Sequence, residues 1–120
     1  MASIMVHITN GPENPTRAAL GLLVARTATE DGHDVTVFLA GDAVLLMSAR
    51  VREAVTGVGL GNAREHFDAI VAGGGRFYVS KMSSGARGIG DADLEGMPAE
   101  MARPTDLVRL AVENDRMFTY

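Results

Sequence analysis

Between Ser80 and Gly88 the chain reads Ser-Lys-Met-Ser-Ser-Gly-Ala-Arg-Gly, which gathers three hydroxyls, two cations and two glycines in one short run. Such residues hold an anion or activate a nucleophile. Arg87 would act as a charge clamp, and Ser83 or Ser84 would cap a short helix whose amides face the ligand. The same residues also make a plain surface turn with a serine cap, and spacing alone leaves both readings open. A serine-hydrolase reading has hydroxyls but no Gly-x-Ser-x-Gly elbow, and nothing brings His66 beside Ser80. His7, His33 and His66 lack metal-ligand spacing, so they are expected to be ordinary hydrogen-bonded histidines, and no metal or cofactor is expected. Gly57, Gly59 and Gly61 follow no strand, Gly85, Gly88 and Gly90 come in the wrong order for a dinucleotide fingerprint, and no Gly-Lys-Ser/Thr occurs. Turn chemistry accounts for these glycines, and the dispersed methionines read as core filler.

A second segment, Asn10-Gly11-Pro12-Glu13-Asn14-Pro15, is stiffened by two prolines at a helix start. It suits a binding wall or a subunit contact as well as a simple connection.

The elements that would position these segments follow from periodicity. Ile4 to Thr9 is a short β-branched strand, and a helix from Pro15 carries Leu20, Leu23, Val24, Thr27 and Ala28 to a stop at Asp31-Gly32. Val35 to Ala40 is a second strand, and Asp42 caps a short helix through Met47. Residues 48 to 61 mix helical rhythm with glycines and carry no assignment. Asn62 and Glu65 form a capping box for a helix with Phe67, Ile70 and Val71, ended by Gly73-Gly74-Gly75. Phe77 to Ser80 is the third strand, followed by a polar stretch from Lys81 to Gly90. A capped turn runs from Asp91 to Leu94 and an edge strand covers Glu100 to Ala102. A helix from Pro104 or Thr105 bears Leu107, Val108 and Ala111, and Arg116 to Tyr120 forms a last strand. This alternation predicts one α/β domain over residues 1–120, a three-layer α/β/α sandwich with a mostly parallel sheet of four or five strands. Ligands in such sheets bind beyond the carboxyl ends of the strands.

The chain has 120 residues, 47% hydrophobic and 22% charged, as an ordinary globular domain does. Acids outnumber bases 15 to 11, for a net charge of −4, so neither nucleic acid nor an anionic membrane is an expected partner. The start, Met1 to His7, has no signal-peptide pattern and no run is long enough to span a membrane, which makes a cytoplasmic location the expectation. Cysteine is absent, so this chain has no thiol chemistry.

Four stretches together give the chain a resemblance: His7 to Arg17, Phe38 to Val44, Phe77 to Ser80 running into Ala86-Arg87-Gly88-Ile89, and Asn114 to Tyr120. Over almost its whole length it resembles the DsrE/DsrF-like family of small sulfur-relay proteins. The resemblance implies a three-layer parallel α/β fold and assembly into trimers or hexamers. It further implies a sulfur-accepting cysteine at the end of the third strand, in some members with a second three residues on. Those positions correspond to Ser80 and Ser83 here. A hydroxyl oxygen cannot replace the acceptor sulfur of a persulfide, so the departure removes relay chemistry from this chain. The resulting expectation is a non-thiol member that binds a small anionic ligand or a partner protein through Asn10, Asp42, Ser80, Ser83 and Arg87. Arg87 would supply charge, Ser80 and Ser83 hydrogen bonds, and Asp42 a helix cap shaping the wall, with no catalytic residue. The alternatives are a structural subunit beside a cysteine-bearing family relative and, more remotely, a serine-based hydrolase.

Overall fold

Along the first strand, β1 (Ser3–Ile8), both Ile4, Val6 and Ile8 on one side and Met5 on the other are buried. A strand shielded on both faces belongs in the middle of a covered sheet. A computed structural model describes residues 1–120 and places β1 between β2 (Asp34–Leu39) and β7 (Arg116–Thr119). The sheet has five strands in the order β6-β5-β2-β1-β7, with β5 at Arg76–Ser80 and β6 at Ala99–Ala102. Every neighbouring pair is parallel. The expected sandwich is therefore present, at the upper strand count.

One face of the sheet carries α1 (Pro15–Glu30), the 3₁₀ segment Gly41–Met47, and α3 (Ala63–Ala72). Ala18, Leu22, Val44, Phe67 and Ile70 from these elements meet Val6, Val37 and Phe77 of the sheet in the main core. Phe67 and Phe77 stack with centroids 4.3 Å apart. The other face is covered by α6 (Pro104–Glu113) alone, where Leu110 packs with Met5, Phe38 and Ala102. Pro104 takes the first helical position, and the Asp106 carboxylate accepts the Arg103 amide at 2.8 Å.

Several expectations change. Residues 48 to 61 are ordered: α2 (Ala49–Ala54) is capped by Ser48, and β3 (Thr56–Gly57) pairs antiparallel with β4 (Gly61–Asn62). Arg52 of α2 is 4% exposed, its guanidinium 4.2 Å over the Phe67 ring and its Nη1 donating to Leu46 O at 2.8 Å. Burial lowers the pKa of that guanidinium. Asn62 does cap α3, but Glu65 does not close a box; the Asn62 amide instead donates to Glu53 O, Val55 O and Thr56 Oγ1. The polar stretch after β5 contains a helix, α4 (Lys81–Arg87), and Asp91–Leu94 forms the one-turn α5.

The buried side of α1 is also not the one the large residues marked. Ala18, Ala19, Gly21, Leu22, Ala25 and Ala28 face inward, while Leu20, Leu23 and Val24 lie half-buried on the flank and Thr27 is exposed. Small residues win because they let the helix axis approach the sheet. A Cβ at Gly21 would lie 2.9 Å from Ile8 Cγ1. Gly21→Ala, although it favours helix by about 1 kcal/mol, should therefore lower stability by a net ~1–2 kcal/mol through overpacking. Urea denaturation checks this, and a stabilised variant would show that α1 does not sit this close.

Candidate functional site

Parallel strands deliver their carboxyl ends to one edge, here Ile8, Leu39, Ser80, Ala102 and Thr119. The connection from β1 to β2 runs through α1 on one face, and that from β6 to β7 through α6 on the other. The crevice of such a sheet opens where the winding reverses, between β1 and β7. Tyr120 fills that place. The Thr9 amide donates to Tyr120 O at 2.7 Å, the Thr9 hydroxyl does so at 3.0 Å, and the Tyr120 amide donates to His7 O at 2.8 Å. The sequence marks Tyr120 only as the end of a strand.

Beside it, β2 and β5 end as neighbours, and their loops are tied together. Ser80 is the N-cap of α4, its Oγ accepting the Ser83 amide at 3.2 Å. Ser83, one turn on, has its Oγ accept the Gly41 amide at 2.9 Å, which fastens α4 to the start of the 3₁₀ segment. Arg87 donates from Nε to Asp42 Oδ1 at 2.9 Å and from Nη1 to Ser83 O at 3.2 Å. Asp42 is thus not a helix cap; Ala40 occupies that position, and the Asp42 carboxylate answers Arg87. Neither serine caps α4 from Ser83 or Ser84, since Ser80 does so. Ser84 is 1% exposed, and its Oγ has no partner.

Four of the five candidate residues, Asp42, Ser80, Ser83 and Arg87, thus form one connected group. Asn10 stands apart. Its amide, oriented so that both ends are satisfied, donates to Glu13 Oε2 at 2.9 Å and accepts from Arg17 Nε at 3.2 Å. The link from its loop to the group is made by the backbone of Gly11, where a Cβ would overlap the Asp42 carbonyl. The sequence gives no sign of that approach, because Gly11 beside Pro12 reads as turn chemistry.

The site's cation is balanced by a carboxylate, and the Ser80 and Ser83 oxygens each accept one hydrogen bond, keeping their own protons to donate. No histidine or carboxylate is hydrogen-bonded to either hydroxyl. No group of three or more His, Asp and Glu side chains is placed to hold a metal. His7, which faces the α6 side, departs from the expectation of a satisfied histidine. Its Nε2 is buried without a partner, and the ring lies edge-on to Phe38 with centroids 5.7 Å apart. Burial pulls its pKa below the ordinary histidine value. His66 does meet that expectation, being 5% exposed with Nε2 2.6 Å from Leu60 O and Nδ1 3.4 Å from Arg26 Nη1.

With this geometry in view, comparison with known proteins settles the lineage. The model of the DsrE/DsrF-like family matches residues 2–120. The chain belongs to the DsrE/DsrF-like family. None of the curated proteins matches it in sequence. Among solved structures, this DsrE/DsrF-like chain is similar to the YchN protein of E. coli, with a TM-score of 0.78 and 19% identity over 100% of both chains. It is also similar to BT1422 of Bacteroides thetaiotaomicron, a conserved protein of unknown function. That match has a TM-score of 0.71 and 9% identity over 99% of this chain and 95% of that one. At these identities the likeness speaks for the fold.

Two outcomes follow from the geometry. The Arg87 and Asp42 side chains are 31% and 42% exposed, so a double-mutant cycle with Arg87→Ala and Asp42→Ala should give a coupling of only ~0.2–1 kcal/mol. A larger coupling that resists salt would mean the pair is desolvated. For His7, the unfolded chain takes up its proton at higher pH than the folded one. Its contribution is fully present above the ordinary histidine pKa and is lost as pH falls below it. Urea midpoints between about pH 7.5 and 5.5 should fall more steeply for the native chain than for His7→Phe; equal slopes would remove His7 from the account.

Proposed function

We propose that this chain is a thiol-free binding member of the DsrE/DsrF-like family, a cytoplasmic protein that assembles with copies of itself as a trimer or hexamer. In this reading it presents the carboxyl edge of its sheet to a protein partner and carries no transferable sulfur. The observation that carries the reading is how the polar groups at the ends of β2 and β5 are used: Ser80, Ser83, Asp42 and Arg87 hold α4 against the 3₁₀ segment. Arg87 already gives its Nε–H to Asp42 and an Nη1–H to Ser83 O, so a small anion at this edge competes with a carboxylate for the same cation, which puts a partner surface ahead of an anion trap. Beside the tie, Lys81 is exposed and Met82 is 72% exposed, a mobile apolar side chain next to a cation at the start of α4. A cysteine-bearing relative is the partner that family membership favours, with this chain as the structural subunit. The serine-hydrolase alternative finds no base next to either hydroxyl.

Self-association draws support from the thinly covered face. A ten-residue helix is about 15 Å long and about 10 Å wide, whereas a sheet of five strands is about 19 Å across. The outer side of α6 also carries Val108 at 65% exposure and Val112 at 81%, one turn apart. Beside them, Arg109 pairs with Asp106 and Glu113 along the same helix. An apolar stripe flanked by self-neutralised charge is suited to packing on a like surface.

Light scattering behind size exclusion tests both parts. The native chain should elute as a trimer or hexamer at micromolar concentration, and a Val108→Glu, Val112→Glu variant should be smaller. Mixed with a cysteine-bearing DsrE-like protein from the same host, the native chain should form a complex that Met82→Glu weakens. A monomer that ignores the relative would contradict the proposal.

A further inference from the structure

The opposite end of the sheet holds a cavity that the carboxyl-edge reading does not use. It has a volume of about 260 Å³ and lies between the last turns of α1 and the outer edge of the sheet. Ile4, Val24, Ala28 and Phe118 make its apolar walls, and Asp31 and His33 stand with them. Phe118 lies on β7, the edge strand, and keeps 45% of its surface exposed.

Among the residues lining this cavity the full charge is the carboxylate of Asp31. Asp31 is the residue that ends α1, a helix of 16 residues with no basic residue in its last turn. The carbonyl end of a helix carries partial negative charge, here capped by the amides of Asp31, Gly32 and His33 but met by no basic side chain, and the carboxylate adds to it. The neighbouring acids are already paired, Glu30 with Arg26 at 3.3 Å and Asp34 with Arg76 at 3.1 Å, whereas Asp31 has no cation within bridging distance. Arg116 enters β7 on this side of the sheet and keeps its charge, its Nη1 donating to the neutral Asp115 O at 2.8 Å without bridging Asp31. His33 brings no second carboxylate; its Nδ1 accepts the Ala2 amide at 3.0 Å, which puts the ring proton of the neutral form on Nε2. An apolar floor, a half-exposed aromatic ring and an unpaired carboxylate at a helix carboxyl end are together complementary to one kind of ligand.

We propose that this cavity binds a small organic cation, an ammonium group carried on a short apolar or aromatic stem. The stem displaces water from Ile4, Val24 and Ala28, and the head lies between the Phe118 ring and the Asp31 carboxylate. Size favours a small molecule over a protein surface. Beyond Phe118, the exposed large apolar side chain of β7 is Met117, on the other face of the sheet. A lasting protein contact needs about 800 Å² per partner. The site is independent of the carboxyl edge, so neither reading stands or falls with the other.

The test uses the native protein in its own oligomeric state, with 2-phenylethylamine as the probe and amide chemical shifts as the readout. Its neutral counterpart 2-phenylethanol and the anion 3-phenylpropionate are the controls. For a probe of about nine non-hydrogen atoms, saturation in the millimolar range is expected, with shifts confined to Ile4, Ala28, Asp31, His33 and Phe118. The alcohol should bind roughly tenfold more weakly and the anion not measurably. Asp31→Asn should remove the preference for the amine while leaving alcohol binding and the melting temperature unchanged. Phe118→Ala should weaken amine and alcohol alike. Equal affinity for amine and alcohol, an unchanged preference in Asp31→Asn, shifts elsewhere on the molecule, or no saturable shift would each overturn the proposal. A lysine-containing peptide that binds here when the free amine does not would assign the cavity to a protein partner and overturn it too.

Discussion

The hydrogen bond from the Gly41 amide to Ser83 Oγ, with the Arg87–Asp42 pair beside it, joins two segments that the sequence keeps more than 40 residues apart. Adjacent parallel strands bring the ends of β2 and β5 together, but adjacency alone leaves two loops side by side. The ties make one wall of them. Ser80 sets the direction of α4 by capping it, Ser83 then lies one turn on and faces Gly41, and Arg87 reaches Asp42 from the last turn. Each bond is modest alone, about 1 kcal/mol. Together they fix the shape of this edge.

These ties also give the serines a physical purpose. A hydroxyl is a strong acceptor for a helix amide, so serine serves well at an N-cap. As a nucleophile without a neighbouring base it is weak. The chain matches the family over residues 2–120, and its serines tie the edge together. The fully parallel sheet, with helices on one side and α6 alone on the other, supplies the frame.

Most of the frame was legible because buried parallel strands are β-branched runs bounded by turns. Ile4 to Thr9, Val35 to Ala40 and Phe77 to Ser80 all declare themselves in this way. The helix α4 did not, since Lys81-Met82-Ser83-Ser84-Gly85 offers no apolar stripe and its stability comes from a cap and tertiary bonds. The inward side of α1 was misleading because close approach selects Gly21 and alanines over Leu20 and Leu23. At the carboxyl edge, the sequence marks Asp42, Ser80, Ser83 and Arg87 but not how they bond. Asp42 read as a cap because it precedes a short helix, and its real partner is 45 positions away. Gly11 and Tyr120 act through backbone contacts, which side-chain chemistry does not announce.

The guanidinium at the sheet's carboxyl edge is already engaged by the Asp42 carboxylate and the Ser83 carbonyl. Following the Arg87 Nε–H and Gly41 amide resonances during titration with sulfate and thiosulfate tests that engagement directly. The account predicts no saturable movement of either signal up to about 10 mM. Saturable shifts of both at lower concentration, with the Gly41 shift lost in Arg87→Ala, would show that an anion engages Arg87 and would contradict it.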